Sequence, residues 1–359
     1  KELLNKYKYT VYYYEPDTSL EECLARNTTR TDYKRVPEQV IHRMHKMIKT
    51  TPLPKFCRKI NSIDEINNYF TVNLTNRYER VRIIGDIHGC YTALQQAITL
   101  WDEKTLYIFC GDYLERGIEN KEMIYEMMRL STLPNTIMLE GNHERHIANF
   151  AFNTNLDHSK RFMKEVVAPI VKDMTKKDVE SLQRELRLFY KSLRQCYPFS
   201  FHGKKYLVSH AGLSYVPNMT FISTSTFING YGAYETDIAK IYDTNYEQGM
   251  CQNFIQIHGH RGVPDGNYSY CLEGEVEFGG ELKYIDITAD TFTKNGIKND
   301  IYDKDYMRHE YQNMTQHVIF TQNEDINIIG NSKLVKVKKC SPNLYSLNFT
   351  SRVFHKRLW

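Results

Sequence analysis

The stretch of sequence that decides the fold lies at residues 81–89 and reads Val-Arg-Ile-Ile-Gly-Asp-Ile-His-Gly. Its first four residues form a short apolar run, which is typical of a buried strand. A glycine turn follows at once and presents an aspartate and a histidine. In open α/β sheets such turns lie at the carboxyl ends of strands, where ligands bind. This segment therefore predicts a strand with a polar site at its end.

The same arrangement occurs at four further places along the chain. Apolar runs are followed by Gly-Asp-Tyr-Leu-Glu-Arg-Gly at 111–117, Gly-Asn-His-Glu at 141–144, Ser-His-Ala-Gly at 209–212 and His-Gly-His at 258–260. A single loop of this kind is usually no more than a turn. Five of them in matching positions predict one shared site built from carboxylate, amide and imidazole groups.

The surrounding sequence alternates strand and helix patterns. Apolar runs that predict strands occupy 81–84, 105–110, 136–139, 206–209, 254–257 and 282–287. Helical patterns occupy 91–100 and 121–130, so strand–loop–helix units and an α/β fold are expected. Further along, apolar residues recur with helical spacing at Leu182, Leu186, Phe189 and Leu193. We expect the region near 155–195 to be a helical insertion.

Composition and charge set broader limits. The chain has 359 residues, 41% of them hydrophobic and 25% charged, which excludes a mostly disordered chain, a collagen and a coiled-coil rod. Eight scattered cysteines without a C-x-x-C pair predict reduced thiols, and no apolar stretch approaches the roughly 18 residues of a membrane helix. The net charge of +4 is unevenly distributed. Residues 1–80 contain 15 Lys/Arg against 10 Asp/Glu, and residues 331–359 contain 7 Lys/Arg and no acidic residue. The central residues 81–330 therefore carry a net charge of −8.

The five loops resemble the signature motifs of the calcineurin-like metallophosphoesterases, specifically of the phosphoprotein-phosphatase type. Those signatures read G-D-x-H-G, G-D-x-x-D-R-G, G-N-H-E, H-A-G and G-H, and nearly all are matched between about residues 80 and 290. The resemblance implies a central β-sandwich flanked by helices, which holds two divalent metal ions. It also implies six metal ligands, namely Asp86 and His88 for the first ion, Asp112 for both, and Asn142, His210 and His258 for the second. Such mixed donors favour Mn²⁺, with Fe, Ni²⁺, Zn²⁺ or Co²⁺ as alternatives.

The resemblance also implies roles beside the metals. His143 would protonate the leaving alcohol, and Arg116 would bind the non-bridging phosphate oxygens through its planar guanidinium. Arg145 and Arg261 adjoin motif residues and either extend this grip or form surface ion pairs. His260 either supports the site from behind the ligands or is an ordinary loop histidine.

One residue departs from the family pattern. Glu115 stands where the family has an aspartate that orients the general-acid histidine. Because the glutamate keeps the charge on a longer arm, we expect its pairing with His143 to survive with altered geometry.

The amino-terminal flank carries a second resemblance. A strand pattern at 11–14, Arg-Asn-Thr-Thr-Arg at 26–30 and a helical Val-Pro-Glu-Gln-Val-Ile segment from 36 resemble the end of a P-loop polynucleotide kinase. In that family the lid arginines, here Arg26 and Arg30, help to hold nucleotide phosphates. The alternative is a basic loop before an ordinary surface helix. No G-x-x-x-x-G-K-[ST] motif is present, so we expect no kinase activity from this chain alone.

The downstream sequence points in the same direction. Residues 270–280 resemble the L-E-G-x-V-E-F-G-G stretch of end-healing phosphatases fused to kinases and ligases, and 348–359 resemble the opening of an RNA ligase domain. A basic terminal strand and tail is the alternative for the latter. The expected organisation is a kinase remnant at 1–55, a linker at 56–79, the phosphoesterase domain at 80–300 and a ligase-like extension at 301–359.

Together these features predict a phosphatase module of an RNA-repair polypeptide, cytoplasmic in a bacterium or virus-infected host. It would remove 3′-phosphate or open 2′,3′-cyclic phosphate at RNA or oligonucleotide 3′ ends, with kinase and ligase domains as partners. Basic flanks would attract the polynucleotide, and some of the 27 tyrosines would stack on bases or simply fill the core. The alternatives are a serine/threonine phosphoprotein phosphatase, a dinucleoside-polyphosphate hydrolase, and an RNA-binding scaffold without catalysis.

Overall fold

The computed structural model describes residues 11–55, 57–62, 65, 71–216, 222–234 and 236–305, and the backbone of strands between 317 and 357. It divides into two compact units, Lys1–Tyr302 and Asp303–Trp359. The strands of the first unit are β1 (Val11–Tyr14), β2 (Cys57–Ile60), β3 (Val72–Asn73), β4 (Arg80–Ile84), β5 (Thr105–Phe109), β6 (Thr136–Met138), β7 (Cys196–Phe201), β8 (Lys204–Ser209), β9 (Phe254–His258), β10 (Ser269–Cys271), β11 (Glu281–Ile287) and β12 (Phe292–Lys298).

The helices of the first unit surround these strands. They are α1 (Leu20–Thr28), α2 (Glu38–Thr50), α3 (Tyr91–Ala97), α4 (Asn120–Leu130), α5 (Glu144–Phe152), α6 (Lys160–Phe162), α7 (Ala168–Val171), α8 (Lys176–Ser192), α9 (Thr224–Asn229) and α10 (Ile238–Glu247). A π-helical turn at Met163–Val167 joins α6 to α7, and a 3₁₀ turn at Val276–Phe278 precedes β11. Within the described residues no helix is long and apolar enough to cross a membrane.

Two five-stranded mixed sheets form the centre of the first unit. One has the strand order β12-β11-β4-β5-β6 and the other β10-β9-β8-β7-β3. Strands β4, β5 and β6 run parallel, as do β8, β9 and β10. Every residue of β5 is buried, as expected for a central strand covered on both faces. Residues of both sheets meet in one apolar cluster that includes Ile83, Ile108, Phe199 and Val208. The predicted β-sandwich is confirmed.

Helices cover the outer face of the first sheet. A second apolar cluster joins Tyr107 and Phe109 of β5 to Leu94 of α3 and Met123 of α4. The insertion also contributes to this cluster, because Leu182, Leu186, Phe189 and Leu193 are all buried. Helix α8 begins with a capping box, in which Thr175 and Asp178 each bond the other's backbone N–H. The predicted helical insertion is confirmed.

The amino-terminal segment forms a small structure of its own. Strand β1 pairs in parallel with β2, and α1 contacts α2. Asn27, 2% exposed, ties the end of α1 to Val36 by donating to its carbonyl at 2.7 Å and accepting from its N–H at 2.9 Å. The helix expected after Pro37 is present, but its Met44 and Met47 are exposed. The predicted linker at 56–79 contains β2 and β3, and β3 joins the second sheet.

The second unit is described by its strands alone. They are β13 (His317–Phe320), β14 (Ile326–Ile329), β15 (Leu334–Ser341), β16 (Leu344–Phe349) and β17 (Val353–Arg357). Strands β13 and β14 form an antiparallel pair, and β15, β16 and β17 form an antiparallel sheet. Most of β16 precedes the predicted ligase-like segment at 348–359, while β17 lies within it. The side chains of that segment lie outside the described residues.

Candidate metal centre and active site

All five motif loops meet at the carboxyl ends of β4, β5, β6, β8 and β9. Hydrogen bonds tie each loop to another one. The His143 N–H donates to Asp112 Oδ1 at 3.0 Å, and the His260 N–H donates to Asp86 Oδ2 at 2.9 Å. Asn142 Oδ1 lies 3.0 Å from His210 Nε2. Residues that are far apart in sequence therefore form one buried, polar centre.

Two clusters of ligand-type groups share one carboxylate. His88, Asp112 and His143 form the first, and Asp112, His210 and His260 form the second, with the ligand atoms of each cluster within 4.8 Å of one another. Asp112 Oδ2 lies 3.5 Å from Nε2 of His88 and 3.5 Å from Nε2 of His210. A carboxylate between two sets of donors is arranged as a ligand that bridges two metal ions would be.

Asp86 lies beside the second cluster. Its Oδ1 atom is buried without a hydrogen-bond partner and is 3.8 Å from His210 Nδ1. Burial raises the pKa of Asp86 well above its ordinary value, and the charges of Glu273 and Asp112 add to the shift. Crowded carboxylates with an orphaned oxygen fit a site that binds cations.

The structure places His260, and not His258, with the other ligand-type groups. His258 is completely buried, its Nδ1 lies 2.8 Å from the Gly259 carbonyl, and its Nε2 has no hydrogen-bond partner. We therefore replace His258 by His260 as the candidate ligand. The sequence held the signal for this, since the signature is G-H and only His260 follows a glycine in His258-Gly259-His260.

Glycines allow the carboxylates to come close to the neighbouring backbone. A Cβ at Gly259 would lie 1.9 Å from Asp86 Oδ1, and a Cβ at Gly141 would lie 2.2 Å from Asp112 Oδ1. The loops also hold several residues at positive φ, namely His88, Asp112, Glu115, Arg116 and His260. Each such residue costs on the order of 1–3 kcal/mol and persists only where the surrounding structure enforces it. The concentration of these residues here is typical of a functional site.

Glu144 holds two of the motif loops together through hydrogen bonds to their backbone. Its carboxylate is buried and accepts hydrogen bonds from the backbone N–H groups of Asp112 at 2.9 Å, Tyr113 at 3.0 Å and Gly141 at 2.6 Å. These bonds join the β5 loop to the β6 loop. This supporting role of Glu144 was not predicted from the sequence. Its position in Gly-Asn-His-Glu was the available signal.

His143, Glu115 and Arg116 form a group at the edge of the metal centre. The Glu115 carboxylate contacts His143 Nδ1, as the sequence predicted. Arg116 places Nη2 3.2 Å from His143 Nε2 and Nη1 3.1 Å from His88 Nε2. Nη1 also donates to Glu277 Oε1 at 2.8 Å. Glu277, with a side chain only 1% exposed, was missed by sequence reasoning although it lies in the quoted 270–280 stretch.

Burial and charge shift the titration of these groups in different directions. Burial lowers the pKa of His88 well below its ordinary value and that of His260 to about 3, so both are neutral near pH 7. A neutral imidazole is the form that binds a metal ion. For Asp112, burial alone would raise the pKa, but the nearby His210 and His143 have the larger combined effect. The pKa of Asp112 is therefore well below its ordinary value. For His143, burial alone would lower the pKa, but the negative charges of Asp112 and Glu115 have the larger effect. The pKa of His143 is therefore raised above its ordinary value.

The remaining predicted arginines lie elsewhere. Arg145 is exposed and donates to His146 at 3.2 Å, not to the metal centre. Arg261 is 1% exposed, so it lies in the interior and not at the surface, and it donates to the carbonyls of Ala233 and Asn229. Arg26 pairs with Glu22 along α1, and Arg30 is exposed. In the described residues, no hydrogen bond or ion pair links Arg26 or Arg30 to the metal centre.

Comparison with known proteins agrees with this geometry. The family model for calcineurin-like phosphoesterases matches residues 79–294, which is more than half of the chain. The chain belongs to that family. It has the α/β metallophosphoesterase fold, and its buried histidine and aspartate groups suggest two metal ions.

Individual relatives match over part of their length. Over 150 residues the chain is 31% identical to serine/threonine-protein phosphatase 2 of Salmonella typhimurium, covering 41% of this chain and 64% of that protein. Over 153 residues it is 26% identical to the serine/threonine-protein phosphatase PP2A-like PPG1 of Candida albicans, covering 41% and 33%. The match thus spans less than two thirds of either relative.

Two solved structures are similar to this chain at low sequence identity. A protein serine/threonine phosphatase from Saccharomyces cerevisiae with similarity to human phosphatase PP5 is 14% identical, with a TM-score of 0.43, and the match covers 73% of this chain and 96% of that one. A protein provisionally described as a diadenosine tetraphosphatase is 18% identical, with a TM-score of 0.41 and coverage of 64% and 98%.

Proposed function

We propose that this phosphoesterase is a two-metal phosphatase of nucleic-acid ends. It hydrolyses the 3′-phosphate or 2′,3′-cyclic phosphate of RNA as part of an end-healing and repair polypeptide. The observation that supports this reading is the position of Glu277. It lies in the stretch that resembles end-healing phosphatases, and its carboxylate contacts Arg116 at 2.8 Å inside the candidate site. The stretch that carries the resemblance is therefore part of the site itself.

The residues present fit a pair of divalent cations. The proposed ligands are Asp86, His88, Asp112, Asn142, His210 and His260, and their carboxylate, amide and imidazole donors suit Mn²⁺ first, with Fe, Ni²⁺, Zn²⁺ or Co²⁺ as alternatives. When bound, such a pair supplies a nucleophilic water of lowered pKa and neutralises charge on the phosphoryl oxygens. All other steps belong to the side chains around it.

Three side chains prepare the reaction in this proposal. Arg116 directs its guanidinium between His88 and His143 and binds the non-bridging phosphate oxygens in a bidentate manner. His143 holds a proton at Nε2 for the leaving oxygen, because Glu115 engages Nδ1 and fixes the orientation of the ring. The side chains of Arg116 and His143 are 32% and 15% exposed, so an incoming substrate reaches these two, whereas Glu115 is 3% exposed and stays behind them.

The proposal also includes the surroundings of the phosphatase. RNA or oligonucleotide 3′ ends are the substrates, kinase and ligase domains are covalent or non-covalent partners, and the protein works in the cytoplasm. Arg26 and Arg30 would contact nucleotide phosphates as parts of a kinase-type lid. Their exposure on and after α1 is compatible with that use.

A second candidate is a serine/threonine phosphoprotein phosphatase. The observation that favours it is the similarity to the Salmonella and Candida phosphatases, which covers 41% of this chain in each case. The same metal centre would serve either reaction, so the substrate has to be determined directly.

Turnover by the Mn²⁺-loaded protein tests the two candidates against each other. The substrates are a nucleoside 2′,3′-cyclic phosphate, an oligoribonucleotide 3′-phosphate, a phosphoserine peptide and a dinucleoside tetraphosphate. We expect release of phosphate from the oligonucleotide or opening of the cyclic ester, and loss of both in Asp112→Ala protein prepared in parallel. Activity confined to the peptide or to the tetraphosphate would overturn the nucleic-acid proposal.

A further inference from the structure

A short aromatic loop lies beside the metal centre, and none of its residues is a proposed metal ligand or catalytic group. It comprises residues 229–234, with the sequence Asn-Gly-Tyr-Gly-Ala-Tyr, and joins the end of α9 to the region before α10. We call it the aromatic loop. Its two tyrosines, Tyr231 and Tyr234, are 52% and 54% exposed. Both rings are therefore accessible from the solvent.

The aromatic loop and the helix α9 that leads into it are anchored to the two histidine loops of the second cluster. The Ala211 N–H, next to His210, donates to the Phe227 carbonyl at the end of α9 at 2.9 Å. From the other side Arg261, next to His260, donates through Nη1 to the Ala233 carbonyl at 2.7 Å. The loop therefore has a fixed position relative to the proposed metal ligands.

Arg261 is the main anchor. It is 1% exposed, and it also donates to the Asn229 carbonyl at 3.3 Å, so its guanidinium joins the two ends of the aromatic loop. Gly230 allows this contact, because a Cβ there would lie 2.5 Å from Arg261 Nη2. Gly230 and Gly232 also have φ values of 75° and 73°, which side chains other than glycine rarely adopt. The sequence thus specifies this loop conformation.

The loop directs Tyr234 at the metal centre. Its ring is nearly perpendicular to the ring of His260, with ring centroids 5.6 Å apart and planes at 83°. His260 in turn lies 4.9 Å from His210, centroid to centroid. Since Tyr234 contacts His260 while 54% of the residue is exposed, an aromatic surface remains open next to the place where a phosphoester would bind.

We propose that the aromatic loop is a nucleobase-binding subsite, in which Tyr234 stacks on the base of the nucleotide that carries the scissile phosphate. This inference rests on the proposed function and specifies its substrate class. A base lies one ribose away from its 3′-phosphate, so it is the planar part of the substrate that can reach a ring beside the metal centre. Stacking of this kind tolerates every base, because each base has a π face. The subsite therefore selects nucleotides over base-free esters without selecting a sequence.

Steady-state kinetics of Tyr234→Leu protein test the subsite. With a nucleoside 3′-phosphate or 2′,3′-cyclic phosphate we expect KM to rise by about tenfold, within the range of a lost base–aromatic stack, while Tyr234→Phe stays near the wild type. With glycerol 2-phosphate, which has no base, the kinetics should stay within about twofold. Tyr125→Leu, at a 42% exposed tyrosine of α4, is the matched control and should leave the kinetics with both substrates unchanged.

A second measurement does not depend on turnover. Irradiation of metal-free wild-type protein with an oligonucleotide that ends in 5-iodouridine 3′-phosphate should crosslink Tyr234, as located by mass spectrometry. Equal loss of kcat/KM on both substrates in Tyr234→Leu, no change on either, or a crosslink elsewhere would overturn the subsite. Failure of the proposed function is distinguishable, since the wild type would then hydrolyse glycerol 2-phosphate or the phosphoserine peptide but no nucleotide.

Discussion

At the scale of single residues, the choice between His258 and His260 decides how the second metal ion is held. His260 lies with Asp112 and His210, whereas His258 is enclosed and bonded to its own loop. We expect His260→Ala protein to bind one metal ion fewer per chain than the wild type, and Mn²⁺-dependent phosphatase turnover to be lost. Elemental analysis after dialysis against Mn²⁺ gives the stoichiometry.

The matched control is His258→Ala. It removes a buried ring without removing a proposed ligand, so we expect lower thermal stability but the wild-type metal content. Normal metal binding by His260→Ala together with loss of metal in His258→Ala would restore the original assignment.

The Glu115–His143 pair leads to a second prediction at this scale. If His143 gives its proton to the leaving oxygen, His143→Ala should slow the hydrolysis of alkyl phosphates, whose leaving groups are poor, by about 10²–10⁴-fold. Activated aryl phosphates, which need little protonation, should slow much less. Glu115→Gln should shift the rates in the same direction, because the carboxylate that engages His143 Nδ1 is lost. Equal slowing of both ester classes would exclude a general-acid role for His143.

At the scale of elements, the helical insertion depends on one apolar stripe of α8. Leu186 lies on that stripe and is fully buried, whereas Leu188, two residues on, is 71% exposed. We expect Leu186→Ala to lower the free energy of unfolding by about 2–5 kcal/mol, through lost apolar burial and the cavity left behind. Leu188→Ala, the same chemical change on the other face, should stay within about 0.5 kcal/mol. Urea unfolding followed by circular dichroism compares the two variants, and equal effects would contradict the packing of α8.

Elements with strong periodicity were predictable, and those without it were not. Strands β4, β5 and β11 and helices α3, α4 and α8 follow the patterns read from the sequence. Strand β3 has only two residues, too few for a pattern to develop. Strand β7 contains Pro198, which argues against a central strand. Strand β12 is a mostly exposed edge strand with Gly296 in the middle, so tertiary pairing with β11 determines it.

At the scale of the whole molecule, the site depends on contacts that no local pattern contains. Arg116 meets Glu277, 161 residues further along the chain, and only the order of the sheets brings them together. Five motif loops could be found by sequence because each keeps its residue types in order. The supporting roles of Glu144, Glu277 and Arg261 could not be predicted, since the sequence does not show which partners a buried carboxylate or guanidinium has. Their roles follow from packing.

The distribution of charge along the whole chain leads to the last prediction. Residues 1–80 carry an excess of five positive charges and residues 331–359 an excess of seven, against −8 between them. If these flanks bind RNA, the affinity of inactive Asp112→Ala protein for a labelled oligoribonucleotide should fall as KCl rises, with a slope of about −0.7 per phosphate contacted. Joint replacement of Arg26 and Arg30 by alanine should make that slope shallower, whereas Lys177→Ala on α8 should not. Fluorescence anisotropy across a salt series measures the slope, and an affinity independent of salt would contradict electrostatic binding by the flanks.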